Sequence, residues 1–169
     1  KGVIKVRDIP VLYLPVGYIP LDQERKSGFL TPVFGNSSIN GSTVSNAYYW
    51  AINRESDATF FVDYMGVRGV RPALEYRYTP AKTTGGTFSS SYLDDKSSNQ
   101  QFYKVDWTHN QLLPGNVAIA GQLDLVGNNN PDKTFNDNTV ERTRRNTNSF
   151  LAANKTWNNN SLDVITRYQ

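Results

Sequence analysis

The chain has 169 residues, a formal net charge of +3 and 38% hydrophobic residues, with a mean hydropathy of -0.55. It has no run of about 18 apolar residues, which excludes a helical membrane protein but not a membrane barrel, whose strands expose only every second residue to lipid. Because the chain has no cysteine and no basic stripe with interleaved aromatics, we expect no disulfide framework, no thiolate metal site and no nucleic-acid partner.

The first segment, residues 3–21, is dense in apolar side chains and is interrupted by Pro10, Pro15 and Pro20. Proline has no N–H to donate to a sheet, so the pattern predicts two short extended segments at edges or bulges. We interpret this segment as the last strand and linker of a preceding β domain. The chain opens without a signal peptide and stops in mid-strand, which predicts a mature chain or a piece of a longer one.

Residues 24–35 mark a change of environment, because a charged cluster is followed by Ser-Gly and an apolar strand. From Phe29 onward, turn signals separate segments of about ten residues, and none of them has helical periodicity. This predicts an all-β fold, an antiparallel meander of hairpins. The predicted strands are about 29–37, 42–52, 57–67, 70–79, 83–93, 100–109, 116–126, 143–156 and 161–168.

Polar and apolar residues alternate clearly in these strands, as in the third, where Phe60, Val62 and Tyr64 oppose Asp57 and Asp63. The pattern fits a soluble sheet with its apolar face inward, or a barrel with its apolar face toward lipid. Strand length and the long polar loop 127–142 on one side favour the barrel. So do aromatic residues that gather near strand ends: Tyr48, Tyr49, Trp50, Tyr76, Tyr78, Tyr103 and Trp107.

Several motifs closely resemble the LptD family, the outer-membrane lipopolysaccharide (LPS) assembly proteins of Gram-negative bacteria. The similarity is specific from Ile9 to about Tyr78, and beyond that only the hairpin rhythm continues. The motifs are PVLYLP at 10–15, IP at 19–20, RKSGFLTP at 25–32, YYWAIN at 48–53, DAT at 57–59, YMGVRG at 64–69 and EYRY at 75–78.

The resemblance implies that residues 1–24 end a periplasmic β-jellyroll and that residues 25–169 are the N-terminal strands of a larger transmembrane β-barrel. Nine strands cannot close such a barrel. The implied partners are the LptE lipoprotein plug, the periplasmic LPS-transport bridge proteins, LPS itself and the outer membrane. The cysteines that form disulfides in the family are absent here.

The implied function is transport of LPS into the outer leaflet, without covalent chemistry, catalytic residues, cofactor or metal. The first strand would form a lateral gate, in which Pro32 lacks one ladder hydrogen bond; a proline tolerated at a strand start is the alternative. The predicted site residues are Phe29, Leu30, Pro32 and Phe34 for the gate, Pro15, Tyr18, Ile19, Pro20 and Leu21 for the exit of a periplasmic groove, and Asp63, Arg71, Glu75, Arg77, Gln122 and Asp124 for a polar lumen.

Two other functions fit the pattern: a passive porin-type channel and a soluble carbohydrate-binding β-sandwich. His109 is the only histidine and is predicted to be a polar residue at a strand end, because it has no second histidine or cysteine near it. Asp94 and Asp95 are predicted to be turn residues rather than a calcium site. Arg142, Arg144 and Arg145 fit either LPS phosphates or a solvated loop end.

Overall fold

The computed structural model describes residues 2–6, 9–14, 25–127, 149–158 and 160–168, and the side chains of these residues from Arg25 onward. Every regular element in them is a β-strand, which confirms the predicted all-β fold. The strands are β1 (Gly2–Val6), β2 (Ile9–Leu14), β3 (Gly28–Phe29), β4 (Val33–Ser37), β5 (Gly41–Ala51), β6 (Ser56–Met65), β7 (Gly69–Ala81), β8 (Thr84–Asp95), β9 (Gln100–Leu113), β10 (Val117–Gly127), β11 (Ser149–Trp157) and β12 (Asn160–Tyr168).

The first two strands form a small antiparallel hairpin of their own. Its register shifts between Ile4, which faces Leu12, and Lys5, which faces Pro10, so Val11 is an extra residue on β2. Proline cannot donate to the ladder, and a bulge beside it removes the need for that hydrogen bond. The prediction that the prolines of this segment lie at edges or bulges therefore holds for Pro10.

The remaining strands form one ten-stranded sheet in the order β12-β11-β10-β9-β8-β7-β6-β5-β3, with β4 also paired to β5. From β4 onward each strand pairs antiparallel with its neighbour in the chain, so the sheet is the predicted meander of hairpins. Within the described residues, the outer strands β3, β4 and β12 do not pair with one another, so the sheet is open. Such a sheet is consistent with the first part of a larger barrel.

No helix in the described part of the chain has the length and hydropathy needed to span a membrane.

The sheet has an apolar face and a polar face, and the apolar face is the exposed one. Phe60, Val62 and Tyr64 are 43%, 49% and 51% exposed, whereas Asp57 and Asp63 on the opposite face are 3% and 9% exposed. A water-soluble sheet buries its apolar face, because that burial supplies most of its stability. Here the sheet encloses its polar side chains instead, as a membrane barrel does.

The two ends of the sheet carry different connections. Residues 52–55, 82–83 and 114–116 connect strands at one end, which we call the short-turn end, and residues 38–40, 66–68 and 96–99 connect them at the other, the tip end. Gly115 and Asn116 have φ angles of 84° and 58°, the left-handed values that tight turns require and that glycine and asparagine adopt at low cost. Of the predicted long loop 127–142, Gly127 is the last residue of β10, and residues 128–142 lie outside the described residues.

Three predicted strand boundaries are wrong in ways that affect the site. The first predicted strand is two strands, β3 and β4, separated by residues 30–32. The strand predicted to end at His109 continues to Leu113 as β9, so His109 lies inside a strand. Asp94 and Asp95 are the last two residues of β8 rather than turn residues. β8 and β9 are longer than predicted because backbone pairing continues past the apolar residues that the pattern detects, whereas the first strand is divided by an irregularity in its pairing with β5.

Candidate functional site

The first strand of the sheet is broken by a β-bulge. Phe29 pairs with Tyr48 and Val33 pairs with Ser45, so four steps along the first strand match three steps along β5. One residue among 30–32 is therefore extra, and side-chain alternation changes phase there. As a result Phe29 and Phe34 both lie on the apolar face, although they are an odd number of residues apart. Phe29 pairs with Tyr48 and Phe34 pairs with Val44 on β5.

Pro32 occupies this bulge, immediately before β4. Sheets tolerate proline at bulges and strand starts because no ladder hydrogen bond is required there. The last backbone bond before the break runs from the N–H of Leu30 to the carbonyl of Ala47, at 2.8 Å. The four residues predicted for a gate thus lie together along the exposed edge of the sheet, Phe29 in β3, Phe34 in β4 and Leu30 and Pro32 between them.

The start of this strand, which we call the root, is bound firmly to the sheet. Arg25 Nη1 lies 2.8 Å from Asp57 Oδ2, and Arg77 Nε lies 2.8 Å from Asp57 Oδ1. The N–H of Ala51 donates to Ser27 Oγ at 2.9 Å. Because the side chain of Asp57 is buried, loss of its two guanidinium partners would leave a buried carboxylate without charge compensation, which costs more than loss of a surface salt bridge. The root is therefore attached to β5, β6 and β7 before the bulge begins.

The six residues predicted to line a lumen lie on one face of the sheet, the polar face. Asp63 lies directly across from Arg71, whose Nε and Nη2 donate to Asp63 Oδ2 at 3.0 and 2.7 Å. The register aligns Glu75 with Asp124 through Ser89 and Asp106, and Arg77 with Gln122 through Thr87 and Thr108.

The polar face contains a depression of about 560 Å³. Three of the predicted lumen residues line it, whereas Arg77, Gln122 and Asp124 lie outside it. Both signs of charge are present, and Lys104 Nζ lies 3.5 Å from Asp106 Oδ2. The lining is mostly polar and offers hydrogen-bond donors and acceptors, with Phe61, Ala73 and Leu74 as its apolar part. Its polar residues are Ser45, Asp63, Arg71, Glu75, Ser89, Ser90, Ser91, Lys104 and Asp106.

A buried ion pair at the tip end, which we call the tip clasp, was not predicted from the sequence. Arg68 Nη2 lies 2.6 Å from Asp95 Oδ2, with side chains only 5% and 0% exposed. The paired ladder of β7 and β8 begins at Ala73 and does not include Pro72. Beyond that gap the clasp and the bond from the N–H of Lys96 to the carbonyl of Arg68, 2.9 Å long, reconnect the hairpins.

Asp95 is at the hairpin tip, past the apolar band, because the next outward residue after Tyr92 is the exposed Asp94. Burial alone would raise the pKa of Asp95, but the hydrogen bonds from Arg68, Ser97 and Ser98 outweigh it and hold the pKa well below its ordinary value. The bond from the N–H of Ser97 to Asp95 spans two residues, an Asx turn that the Asp-Lys-Ser sequence could have indicated.

His109 lies on the apolar face within an aromatic row. Its ring stacks on Tyr78 and Trp107, with ring centroids 5.8 and 5.7 Å away, and Tyr78 Oη lies 2.8 Å from its Nδ1. Gly86 makes room for this row, since a Cβ there would lie 2.5 Å from Tyr78 Oη. No group of three or more His, Cys, Asp or Glu side chains in the described residues could hold a metal ion.

Comparison with known proteins identifies the family of the chain. The family model described as LptD protein matches residues 2–169. The chain belongs to the LptD family. It is 37% identical over 137 residues to the LPS-assembly protein LptD of Shewanella frigidimarina strain NCIMB 400, covering 79% of this chain and 18% of that protein.

Two further LptD proteins match different shares of the chain. The LPS-assembly protein LptD of Shewanella sp. strain MR-4 is 32% identical over 170 residues, which is 98% of this chain and 22% of the relative. That of Pseudomonas entomophila strain L48 is 39% identical over 114 residues, which is 63% of this chain and 12% of the relative. The chain thus spans about a fifth of the length of the first LptD relatives, and the family resemblance read from the motifs is confirmed.

The remaining predicted residues lie outside the described part of the LptD-family chain. They are the groove-exit residues Pro15, Tyr18, Ile19, Pro20 and Leu21, and the loop arginines Arg142, Arg144 and Arg145.

Proposed function

We propose that the complete protein carries LPS into the outer leaflet of the Gram-negative outer membrane through a barrel lumen and a lateral gate. In this proposal residues 25–169 supply the N-terminal strands of the barrel, and residues 1–24 end a periplasmic jellyroll whose groove delivers LPS. The single observation that best supports it is the inside-out sheet, with exposed Phe60, Val62 and Tyr64 and enclosed Asp57 and Asp63.

The polar face would guide the sugar part of LPS. A sugar head group needs hydrogen-bond donors and acceptors throughout, because every hydroxyl that loses water without replacement costs free energy. The depression beside Asp63 and Arg71 offers serine hydroxyls and charges of both signs. Much of this charge is already paired inside the sheet, as between Asp63 and Arg71. The surface can therefore be hydrated without binding positively or negatively charged ligands tightly.

The broken first strand would form one side of the gate. A regular edge strand can donate and accept hydrogen bonds along its whole length, each worth about 0.5–1.5 kcal/mol net and more where water cannot replace it. The bulge at residues 30–32 interrupts that row, and Pro32 adds no N–H. A seam formed on this edge would therefore open at lower cost than a regular pair of strands.

The proposed partners follow from membership of the LptD family. The LptE lipoprotein would occupy the barrel interior against the polar face, and the periplasmic bridge proteins would deliver LPS to the N-terminal segment. The function requires no covalent chemistry, so we propose no catalytic residue and no cofactor.

A porin-type channel is the main alternative, since it would share the inside-out sheet. Such a channel has no use for a weakened seam, so the bulge and Pro32 favour the transporter. A soluble carbohydrate-binding sandwich would expose its polar face and bury Phe60 and Val62, the opposite of what is observed.

Replacing Pro32 with alanine in the complete protein tests the gate. The bulge stays, but the alanine N–H adds one hydrogen-bond donor to the broken part of the edge, so we expect a stronger seam and slower appearance of LPS at the cell surface, with greater sensitivity to large antibiotics. Export is measured by pulse labelling of LPS followed by surface modification. Pro80→Ala is the matched control, because Pro80 also lies at a register irregularity, between Tyr78 and Ala81, but inside the sheet.

We expect Pro80→Ala to leave export unchanged. Normal export and normal antibiotic sensitivity in Pro32→Ala would contradict the gate. A change in the flux of small solutes with unchanged LPS export would favour the porin-type channel.

A further inference from the structure

A second concave site lies at the short-turn end of the sheet, beside the root of the first strand. We call it the root pocket. It has a volume of about 230 Å³ and lies where the chain enters the sheet. Three of its seven lining residues are arginines. The residues that line it are Arg25, Arg54, Glu55, Asp57, Arg77, Tyr78 and Thr79.

Asp57 holds two of these guanidinium groups in fixed positions. Its Oδ2 accepts from Arg25 Nη1 and its Oδ1 from Arg77 Nε, each at 2.8 Å. A guanidinium carries five N–H donors in a planar fork, so each group retains donors beyond the one used on Asp57. Both arginine side chains are about half exposed, at 55% and 50%, which leaves those donors accessible from the pocket.

The third guanidinium, that of Arg54, is exposed and forms no ion pair with another residue that the structure describes. Three guanidinium groups therefore face two carboxylates in the lining, Asp57 and Glu55, and the Asp57 carboxylate is already engaged on both oxygens. A third carboxylate, that of Glu75, lies 3.6 Å from Arg77 Nε outside the lining, so Arg54 supplies the positive charge that no carboxylate pairs with among the described residues. Arginine donors that converge from separate parts of the chain (Arg25 before β3, Arg54 in the 52–55 connection and Arg77 on β7) match an anion with several oxygens, because each oxygen can accept more than one charge-assisted bond.

We propose that the root pocket binds a phosphate monoester group of the glycolipid that the barrel carries. The inference rests on the proposed function and adds a location, the short-turn end, where the phosphorylated head group would first contact the sheet. A phosphate and part of its attached sugar fit the pocket volume. Arg54 approaches the phosphate as the mobile donor, while Arg25 and Arg77 are held in place by Asp57.

The test compares two ligands on the complete protein in detergent: lipid A with its phosphates, and the same lipid after enzymatic dephosphorylation. We expect Arg54→Gln to weaken binding of the phosphorylated lipid by about ten-fold and to leave binding of the dephosphorylated lipid unchanged. Arg54 has no described ion pair to lose, so the variant should fold normally. Lys82→Gln is the matched control, because it removes the same charge from the next turn at the same end, outside the pocket.

Equal weakening by Arg54→Gln and Lys82→Gln would overturn the site, since it would indicate only a general charge effect. Equal weakening for both lipids would overturn it as well, because the phosphate would then not be the group recognised. Inorganic phosphate is the third probe, and competition by it at micromolar concentration would overturn the assignment to a glycolipid. If the wild-type protein binds neither lipid, the proposed function fails; if it binds both equally with normal export, only the root pocket fails.

Discussion

The tip clasp allows a quantitative prediction about stability. Asp95 is fully enclosed and accepts hydrogen bonds from the Nε and Nη2 groups of Arg68 at 3.1 and 2.6 Å. Its other oxygen accepts from the N–H and Oγ of Ser97 at 2.9 and 2.8 Å. In Asp95→Asn the buried guanidinium of Arg68 loses the charge of Asp95, the carboxylate that it contacts at 2.6 Å. Breaking one side of a buried pair costs about 3–5 kcal/mol.

The tip clasp joins two hairpins where their paired ladder is interrupted. The ladder of β7 and β8 stops before Pro72, and beyond it the clasp and the Lys96 to Arg68 backbone bond connect the hairpin tips. We therefore expect Asp95→Asn to lower the free energy of unfolding by about 3–5 kcal/mol. Asp94→Asn is the matched control, since Asp94 is the adjacent and exposed carboxylate, and we expect it to change stability by less than about 0.5 kcal/mol.

The assay is urea unfolding of the complete protein in detergent, followed by tryptophan fluorescence. A double variant, Arg68→Met with Asp95→Leu, removes both charges, and we expect it to lose less than Asp95→Asn because no uncompensated charge remains. Equal midpoints for Asp95→Asn and Asp94→Asn would refute the reasoning. So would a double variant that loses as much stability as Asp95→Asn or more.

The same clasp predicts a pH dependence. The folded-state pKa of Asp95 is lowered, so its contribution is complete above the unfolded value of about 3.9 and is lost as the pH falls toward the folded value. The difference in unfolding free energy between the wild type and Asp95→Asn should thus be constant from about pH 7 to pH 5 and should shrink below about pH 4. A difference that stays constant below pH 4, measured by the same unfolding assay, would contradict this.

The remaining predictions concern the bulge and the aromatic row. Deleting Thr31 removes the extra residue and should give a folded protein with a continuous first strand. Deleting Asn36 should prevent folding, because it turns Phe34 to the polar face. Recovery of folded protein from the membrane measures both effects, and equal recovery of the two variants would contradict the bulge assignment. Gly86→Ala should destabilise the sheet by about 1–3 kcal/mol through overpacking. Gly28→Ala is the control and should not destabilise it, because nothing lies within 4 Å of the added Cβ. Equal unfolding midpoints for the two variants would contradict the overpacking at Gly86.

The faces of the sheet could be predicted from the sequence because strand alternation is a local property. Phe60 and Asp63 are on opposite faces in any strand that contains them both, whatever the fold around it. Which face is enclosed is decided by the whole sheet, so alternation alone left the soluble and membrane interpretations open. The motifs of the LptD family decided between them, and the exposure of Phe60 agrees with that choice.

The features that the sequence did not predict depend on distant residues. The bulge exists because Phe29 pairs with Tyr48 and Val33 with Ser45, a mismatch that no single segment contains, although Pro32 pointed to an interruption. Arg68 and Asp95 are 27 residues apart, and the sequence of neither hairpin indicates how the two hairpins align. Strand ends were also predicted too early, because the pairing that extends β9 past His109 comes from the neighbouring strands.

The change of phase in the first strand limits how another strand can dock on its open edge. On either side of residues 30–32 the edge presents two rows of hydrogen-bonding groups that are offset by one residue. A regular strand that is in register with one row is out of register with the other. The longest regular contact on this edge is therefore the five residues of β4, about 17 Å at 3.3–3.4 Å per residue, and a longer contact needs a partner strand with a matching bulge.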